Sequence, residues 1–149
     1  MNVPRTPTAP DVITPDPRRD FQSFLDENGV TQAQVDAAFA AMPEPTEIVG
    51  DQVHVAKPSP IHGVGIFSGR DLGRGDRVCT LWDGMTQTVC GRYINHHPSP
   101  NAQAITTEGV ISAIAVRPIK EGEEITLDYR QVTRATVFLW QDNQTQRLH

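Results

Sequence analysis

Apolar side chains near the N-terminus recur at helical spacing. Phe21, Phe24 and Leu25 lie at positions i, i+3 and i+4, and an Asn-Gly pair at 28–29 then provides a stop for the helix. A second helix is indicated by a Thr-x-x-Gln capping box at 31–34. Its apolar stripe consists of Val35, Ala38, Phe39 and Met42. The pattern predicts two short helices joined by a turn.

From residue 51 onward the apolar period changes from that of a helix to that of a strand. Val53 and Val55 alternate with polar residues, and 110–116 alternates with small ones. Further short β-prone runs lie at 65–67, 77–82 and 124–127. Glycines separate these runs, which predicts a small, mostly β domain after the helices.

Composition excludes several classes of protein. The chain has 149 residues, 38% of them hydrophobic and 21% charged, which is enough for one modest core. Two cysteines are too few for a disulfide scaffold, and no apolar run approaches the ~18 residues of a membrane span. No hydrophobic signal segment follows the N-terminus. We therefore expect a cytoplasmic protein without membrane contact, in the host cytoplasm if the source is a virus.

The formal charge of −5 is concentrated in the first third of the chain. Residues 1–50 carry three basic and eight acidic side chains, whereas 51–149 carries ten of each. Five prolines within 1–19 predict an extended, disordered arm. A helix-turn-helix DNA reader at 20–42 is disfavoured because that segment has four acids and no Lys or Arg. We expect no direct nucleic-acid contact, and we expect the helical pair at 20–48 to pack on the following domain or on a partner.

Four short segments combine residue types that could carry chemistry. Gly63 and Gly65 flank one residue before a predicted strand, where the absence of a Cβ would let the backbone approach a ligand. Segment 92–101 holds two Asn, two His and two Pro, so it must be a structured loop. Segment 122–129 would place a tyrosine at the end of a strand, and the fourth segment is Leu-Trp-Asp-Gly at 81–84. Taken one at a time, each is better explained by ordinary turns and packing.

The adjacent His96 and His97 raise the question of a metal site. The third ligand would have to be His62, His54 or a cysteine, at no recognised spacing. We therefore expect no metal and favour a hydrogen-bonding role for this loop. Asn95 suits that role because its side chain offers both a donor and an acceptor.

In their order along the chain, the four segments resemble the SET domain of protein-lysine methyltransferases. The corresponding segments are Gly63–Phe67 (G-x-G-hydrophobic-Phe), 78–84 (V-x-x-Y-x-G), 92–101 (R-F-x-N-H-x-x-x-P-N) and 122–129 (G-E-E-L-x-x-D-Y). The resemblance covers roughly residues 51–141 and leaves 142–149 as a C-terminal tail. It implies a compact, mostly β SET-like (β-clip) domain, in which the last two segments pass through one another as a pseudoknot.

The resemblance also implies a function: an S-adenosylmethionine-dependent protein-lysine N-methyltransferase acting on a protein substrate. Backbone around Gly63, Val64 and Gly65 would bind the cofactor, with Asn95 and His96 near its adenosine and carboxylate parts. Tyr129 would be the catalytic residue, at the point where the lysine amine meets the methyl group. The aromatic candidates for the substrate side are Trp82, Phe138 and Trp140, of which the last two could also cover the cofactor.

The main departure from the family is a short connection. Only seven residues, 85–91, separate Gly84 from Arg92, where relatives usually carry a helical insert that forms one wall of the peptide groove. The wall must come from elsewhere or be missing. The helical pair is one candidate replacement, and we expect it to affect the substrate more than the cofactor. Two alternatives stay open: a catalytically silent SET-like module that binds a protein partner, and an unrelated β-clip domain. The compact form resembles stand-alone SET proteins of viruses and bacteria, and the sequence predicts no oligomeric state.

Overall fold

The first helix begins at a proline that follows a capping aspartate. The computed structural model describes residues 16–134, and in it helix α1 spans Pro17–Glu27. The Asp16 carboxylate accepts a hydrogen bond from the backbone N–H of Arg18, and proline suits the first helical position because it has no N–H to satisfy. The disordered arm predicted for residues 1–19 is therefore too long, since 17–19 are helical. The rest of that arm lies outside the described residues.

The second helix confirms the predicted capping box. Helix α2 spans Gln32–Ala41. The Gln34 N–H donates to Thr31 Oγ1 at 3.1 Å, and the Thr31 N–H donates to Gln34 Oε1 at 2.8 Å. We refer to α1 and α2 together as the helical pair. The pair packs on the β domain through α1, which lies against strand β5 (Asn95–His96).

Short strands dominate the rest of the described chain, as the alternating pattern predicts. In chain order they are β1 (Val55–Pro58), β2 (Val64–Phe67), β3 (Arg77–Asp83), β4 (Thr86–Gln87), β5 (Asn95–His96), β6 (Ala102–Thr107), β7 (Val110–Ala115) and β8 (Glu124–Leu127). One short helix, α3 (Val89–Tyr93), follows β4, and residues 129–134 are helical. Within residues 16–134 the strands form two four-stranded sheets.

The first sheet has the order β1-β2-β8-β5, and it brings distant parts of the chain together. Strand β8 pairs antiparallel with β2, where Ile66 lies opposite Ile125. On its other side β8 pairs parallel with β5, where Asn95 lies opposite Thr126. The second sheet has the order β4-β3-β7-β6. The two segments predicted to form the pseudoknot thus lie side by side.

One hydrophobic core holds both sheets and α3 together. Its buried members include residues of both sheets and of α3, for example Ile66, Leu81, Cys90, Ile111 and Ile125. Helix α3 can lie directly on β3 because it contains Gly91: a Cβ there would lie 2.2 Å from the Leu81 carbonyl oxygen. This close contact fixes the start of β5, and therefore the position of the Asn-His motif.

Candidate functional site

A cavity of about 580 Å³ lies between the helical pair and the β domain. The β-domain side is lined by the loop 61–64, the end of α3, strand β5 and Tyr129. The structure therefore brings together five residues that the sequence singles out, although they come from three separate segments. These residues are Gly63, Val64, Asn95, His96 and Tyr129.

Two other predicted site residues do not line this cavity. A Cβ on Gly65 would lie 2.2 Å from Glu124 Oε2, so this glycine makes room for a glutamate side chain. Trp82 is partly buried against the hydrophobic core, in the second sheet. Phe138 and Trp140 lie outside the described residues.

Asn95 ties the loop before β2 to strand β8. Its Nδ2 donates to the backbone oxygens of His62 (3.0 Å) and Val64 (3.3 Å) and to Glu124 Oε2 (2.9 Å). None of the hydrogen bonds within residues 16–134 uses its Oδ1, and no buried side-chain oxygen there lacks a partner. The Oδ1 atom therefore reaches the cavity, where it can accept a hydrogen bond from a ligand.

His96 links the β domain to the helical pair through its ring. Its Nδ1 accepts a hydrogen bond from the Tyr129 N–H at 3.0 Å, and its Nε2 lies 2.6 Å from Asp20 Oδ2. Only a neutral ring with its proton on Nε2 makes both bonds, because Nδ1 must accept and Nε2 must donate. Both ring nitrogens are thus used within the protein, so the ring joins α1 to the segment that carries Tyr129.

Tyr129 lies half-buried at the edge of the cavity with its hydroxyl fixed. The hydroxyl donates to the backbone oxygen of Ile94 at 2.5 Å. The rings of Phe21 and Phe24 contact the tyrosine ring edge-on, with centroids 5.6 and 6.1 Å away. Burial, and secondarily the charge of Glu124, raises the pKa of Tyr129 well above its usual value. The phenol is therefore neutral. It can form hydrogen bonds, but it does not act as a base.

Charged residues hold α1 over this site, and sequence reasoning missed them. Arg130 Nη1 donates to Asp20 Oδ2 at 2.7 Å, and its Nε and Nη2 donate to the two carboxylate oxygens of Glu27 at 3.0 and 2.9 Å. Asp20 and Glu27 lie on the same face of α1 as Phe24, at i, i+4 and i+7. Two acidic residues on a helix face that is otherwise aromatic could have indicated, from the sequence alone, that this face contacts a basic residue.

A second contact fixes the start of α1. Arg18 donates from Nε to the backbone oxygen of Ile61 at 2.5 Å and from Nη2 to that of Pro60 at 2.8 Å. This loop leads directly into Gly63 and Val64. The helical pair therefore faces the segments predicted for the cofactor, and its effect on the substrate stays a prediction.

One known protein family matches part of the chain that forms this site. The model of the SET domain family matches residues 80–130, about a third of the chain, which includes the Asn-His and Asp-Tyr segments. No curated protein matches the chain. Among the described residues no group of three or more side chains could hold a metal ion, and the described helices are too short or too polar to span a bilayer.

Two solved structures illustrate how distant the similar proteins are. One is a chain of a humanised mutant of the Chaetomium thermophilum Polycomb Repressive Complex 2 bound to an inhibitor, with 20% identity and a TM-score of 0.43. That match covers 56% of this chain and 15% of the other. The other is a Plasmodium falciparum candidate histone methyltransferase, with 20% identity and a TM-score of 0.42, covering 51% of this chain and 96% of that one. Likenesses at this level do not indicate what the chain binds.

Proposed function

We propose that the protein is an S-adenosylmethionine-dependent protein-lysine N-methyltransferase. The observation that carries this proposal is the convergence of Gly63–Val64, Asn95–His96 and Tyr129 on one cavity. The last two of these segments lie within the match to the SET domain family. A SET-like fold with an unrelated structural duty would not require these three segments to meet at an open space.

The residues around the cavity fit S-adenosylmethionine. A volume of about 580 Å³ is within the range of ~300–1,000 Å³ that small-molecule sites occupy. Asn95 Oδ1 is an acceptor for the cofactor's ammonium group, and Gly63 exposes backbone without a Cβ. When bound, the cofactor supplies a methyl group on a positively charged sulfur, which a neutral lysine amine can attack.

Tyr129 would position the lysine amine. Its hydroxyl proton is already donated to the Ile94 oxygen, so the hydroxyl oxygen is left as an acceptor for an amine N–H. Because its pKa is raised, the phenol keeps its proton and cannot remove one from lysine. The lysine must therefore lose its proton to solvent, which a nearby positive charge favours by lowering the lysine pKa. The residues of this chain contribute orientation and electrostatics rather than proton transfer.

A catalytically silent binding module is the second candidate, and one observation favours it. Phe21 and Phe24 pack on Tyr129 from the helical side, which reduces the room beside the phenol. Such a module would bind a protein partner, and the cofactor if at all, without methyl transfer.

The test combines calorimetry and mass spectrometry. We expect the wild-type protein to bind S-adenosylmethionine and to add methyl groups to lysines of proteins extracted from its source organism. Tyr129→Phe should keep cofactor binding and reduce transfer by a factor on the order of 10 to 1,000. Val49→Ala, at an exposed side chain outside the cavity, is the control and should leave transfer unchanged. Cofactor binding without any transfer would favour the silent module, and absence of cofactor binding would refute the proposal.

A further inference from the structure

We infer that the helical pair forms one wall of the cofactor pocket, and that its phenylalanine rings pack on the adenine face of S-adenosylmethionine. The inference rests on the proposed function and goes beyond it. It assigns cofactor binding to a segment that lies outside the SET-domain match at 80–130.

The two walls of the cavity offer different chemistry. The β-domain wall presents polar atoms, including the backbone around Gly63 and the side-chain oxygen of Asn95. The helical wall presents three phenylalanine rings and two aliphatic side chains, beside polar groups at its edges: Phe21, Phe24, Phe39, Leu25 and Val35, with Arg18, Gln22, Gln32 and Asp36. S-adenosylmethionine has a charged amino-acid end and an adenine, which is a flat ring with apolar faces. Matching the two places the adenine against the helices.

Apolar residues of helix α2 line the cavity and remain partly exposed. It buries none of its residues, and the Phe39 side chain, which lines the cavity, is 40% exposed. Arg92 lies over this ring at 5.3 Å from its centroid, and so marks one edge of the space. A flat base inserted here would cover apolar surface that the protein itself leaves accessible.

The helical wall is held at a fixed distance from the β-domain wall. Arg18 bonds to the loop that leads into Gly63, and Asp20 bonds to His96 of the Asn-His motif. Each anchor thus joins α1 to a segment that contributes to the opposite wall. A pocket preorganised in this way avoids the entropic cost of ordering a loop around the ligand.

The experiment measures binding of S-adenosylmethionine and of S-adenosylhomocysteine by calorimetry, without any protein substrate. Val35→Trp would fill the cavity from α2. We expect it to weaken the binding of both compounds by about tenfold or more. Ala37→Trp is the matched control, since Ala37 is exposed on the same helix and does not line the cavity. It should bind both compounds as the wild type does. Circular dichroism and the thermal midpoint verify that both variants are folded.

The ring added in Val35→Trp could displace the helix instead of filling the cavity, so a second variant removes a side chain instead of adding one. Phe39→Ala removes an aromatic side chain from the wall and should also weaken binding, by several-fold. If the wild type binds and both Val35→Trp and Phe39→Ala bind equally well, the inference is wrong while the proposed function stands, as expected for a wall that meets only the protein substrate. If the wild type binds neither compound, the proposed function fails and this inference fails with it.

Discussion

The two walls of the cavity are stabilised in different ways. On the β-domain side the supporting residues are buried: Asn101 is 1% exposed and His96 is 3% exposed. On the helical side α1 buries only Leu25, and α2 buries nothing. The β-domain wall is part of the sheet, whereas the helical wall is attached to the β domain by partly exposed side chains. We therefore expect substitutions in the two walls to affect different properties: global stability in one, attachment of the helical pair in the other.

Strand β8 connects the β-domain wall to the rest of the sheet. It is paired on both sides, with β2 and with β5, and Asn101 adds side-chain bonds to its backbone. The helical pair instead depends on Arg130, whose side chain is 27% exposed, and on rings that meet edge-on. Exposed charge pairs contribute little to global stability, about 0–1 kcal/mol each.

The largest difference in unfolding free energy should appear between alanine variants of two asparagines whose side chains both bond to backbone atoms. Asn101 Oδ1 accepts from the Thr126 N–H and its Nδ2 donates to the Glu124 oxygen, both at 2.8 Å. Asn101→Ala leaves these two groups without their partner, which should cost about 2–4 kcal/mol of unfolding free energy. Asn28→Ala, which removes an exposed bond from Nδ2 to the Phe24 oxygen on α1, should cost less than about 1 kcal/mol. Urea unfolding followed by circular dichroism measures both, and equal losses would contradict the contrast between the walls.

The next largest effect on unfolding free energy should distinguish Gly63, in the loop before β2, from Gly65, within β2. Gly65→Ala places a Cβ against Glu124, whose carboxylate accepts bonds from Ser59 and Asn95, so we expect a loss of about 1–3 kcal/mol. Gly63 has φ +45°, and an added methyl group there would have no atom within 4 Å, so Gly63→Ala should cost only the backbone strain, about 1 kcal/mol. Thermal unfolding of both variants tests this order. A larger loss for Gly63→Ala would show that Gly65 tolerates a side chain.

A smaller, local effect should follow from removing the arginine that holds α1. Arg130→Ala deletes the bonds to Asp20 and Glu27, so the amides of α1 should exchange with deuterium several-fold faster. Amides of β8 should keep their protection, because that strand is paired within the sheet. Arg134→Ala is the control, since Arg134 is an exposed arginine about one turn further along. Equal changes in α1 and β8 would mean that the helical pair unfolds only with the whole domain.

The smallest effect should be the pH dependence of this attachment. Burial raises the pKa of Asp20, but hydrogen bonds from Arg130 and His96 outweigh it, and the pKa lies below its ordinary value of 3.8. Arg130 likewise lowers the pKa of Glu27 below 4.5. Because both pKa values are lower in the folded protein, their stabilisation is complete above about pH 4.5 and is lost as the pH falls through the folded values.

Nuclear magnetic resonance can follow this titration from the amide shifts of α1 and β8 between pH 6 and 3. We expect the α1 signals to move at lower pH than an ordinary carboxylate would require, and Arg130→Ala to return the titration of Asp20 and Glu27 toward ordinary values. High salt should weaken the effect, because these groups are partly exposed. A titration identical in the wild type and in Arg130→Ala would contradict the assigned pairing.

Local patterns in the sequence predict the helices and strands, but they do not predict the long-range contacts. The capping box at Thr31 and the β-prone runs depend on neighbouring residues, so they could be read directly. The convergence of Gly63, Asn95 and Tyr129 was expected only through the resemblance of ordered motifs. The Asp20–Arg130 pair joins residues 110 positions apart, and no periodicity encodes such a contact. The same reason explains why Gly65 and Gly63 looked equivalent, since the Glu124 side chain that distinguishes them comes from β8.

The order of synthesis gives the Asp20–Arg130 contact a consequence for biogenesis. A ribosome makes the helical pair before the β domain, and the two side chains that bond to Asp20, those of His96 and Arg130, emerge 76 and 110 positions after it. At about 5–20 residues per second, this delay lasts roughly 5–20 s. During that interval Phe21 and Phe24 have none of their partners from His96 or Tyr129. The nascent chain therefore presents an acidic, aromatic helix that chaperones can bind, and the pocket closes only after the last described segment has left the exit tunnel.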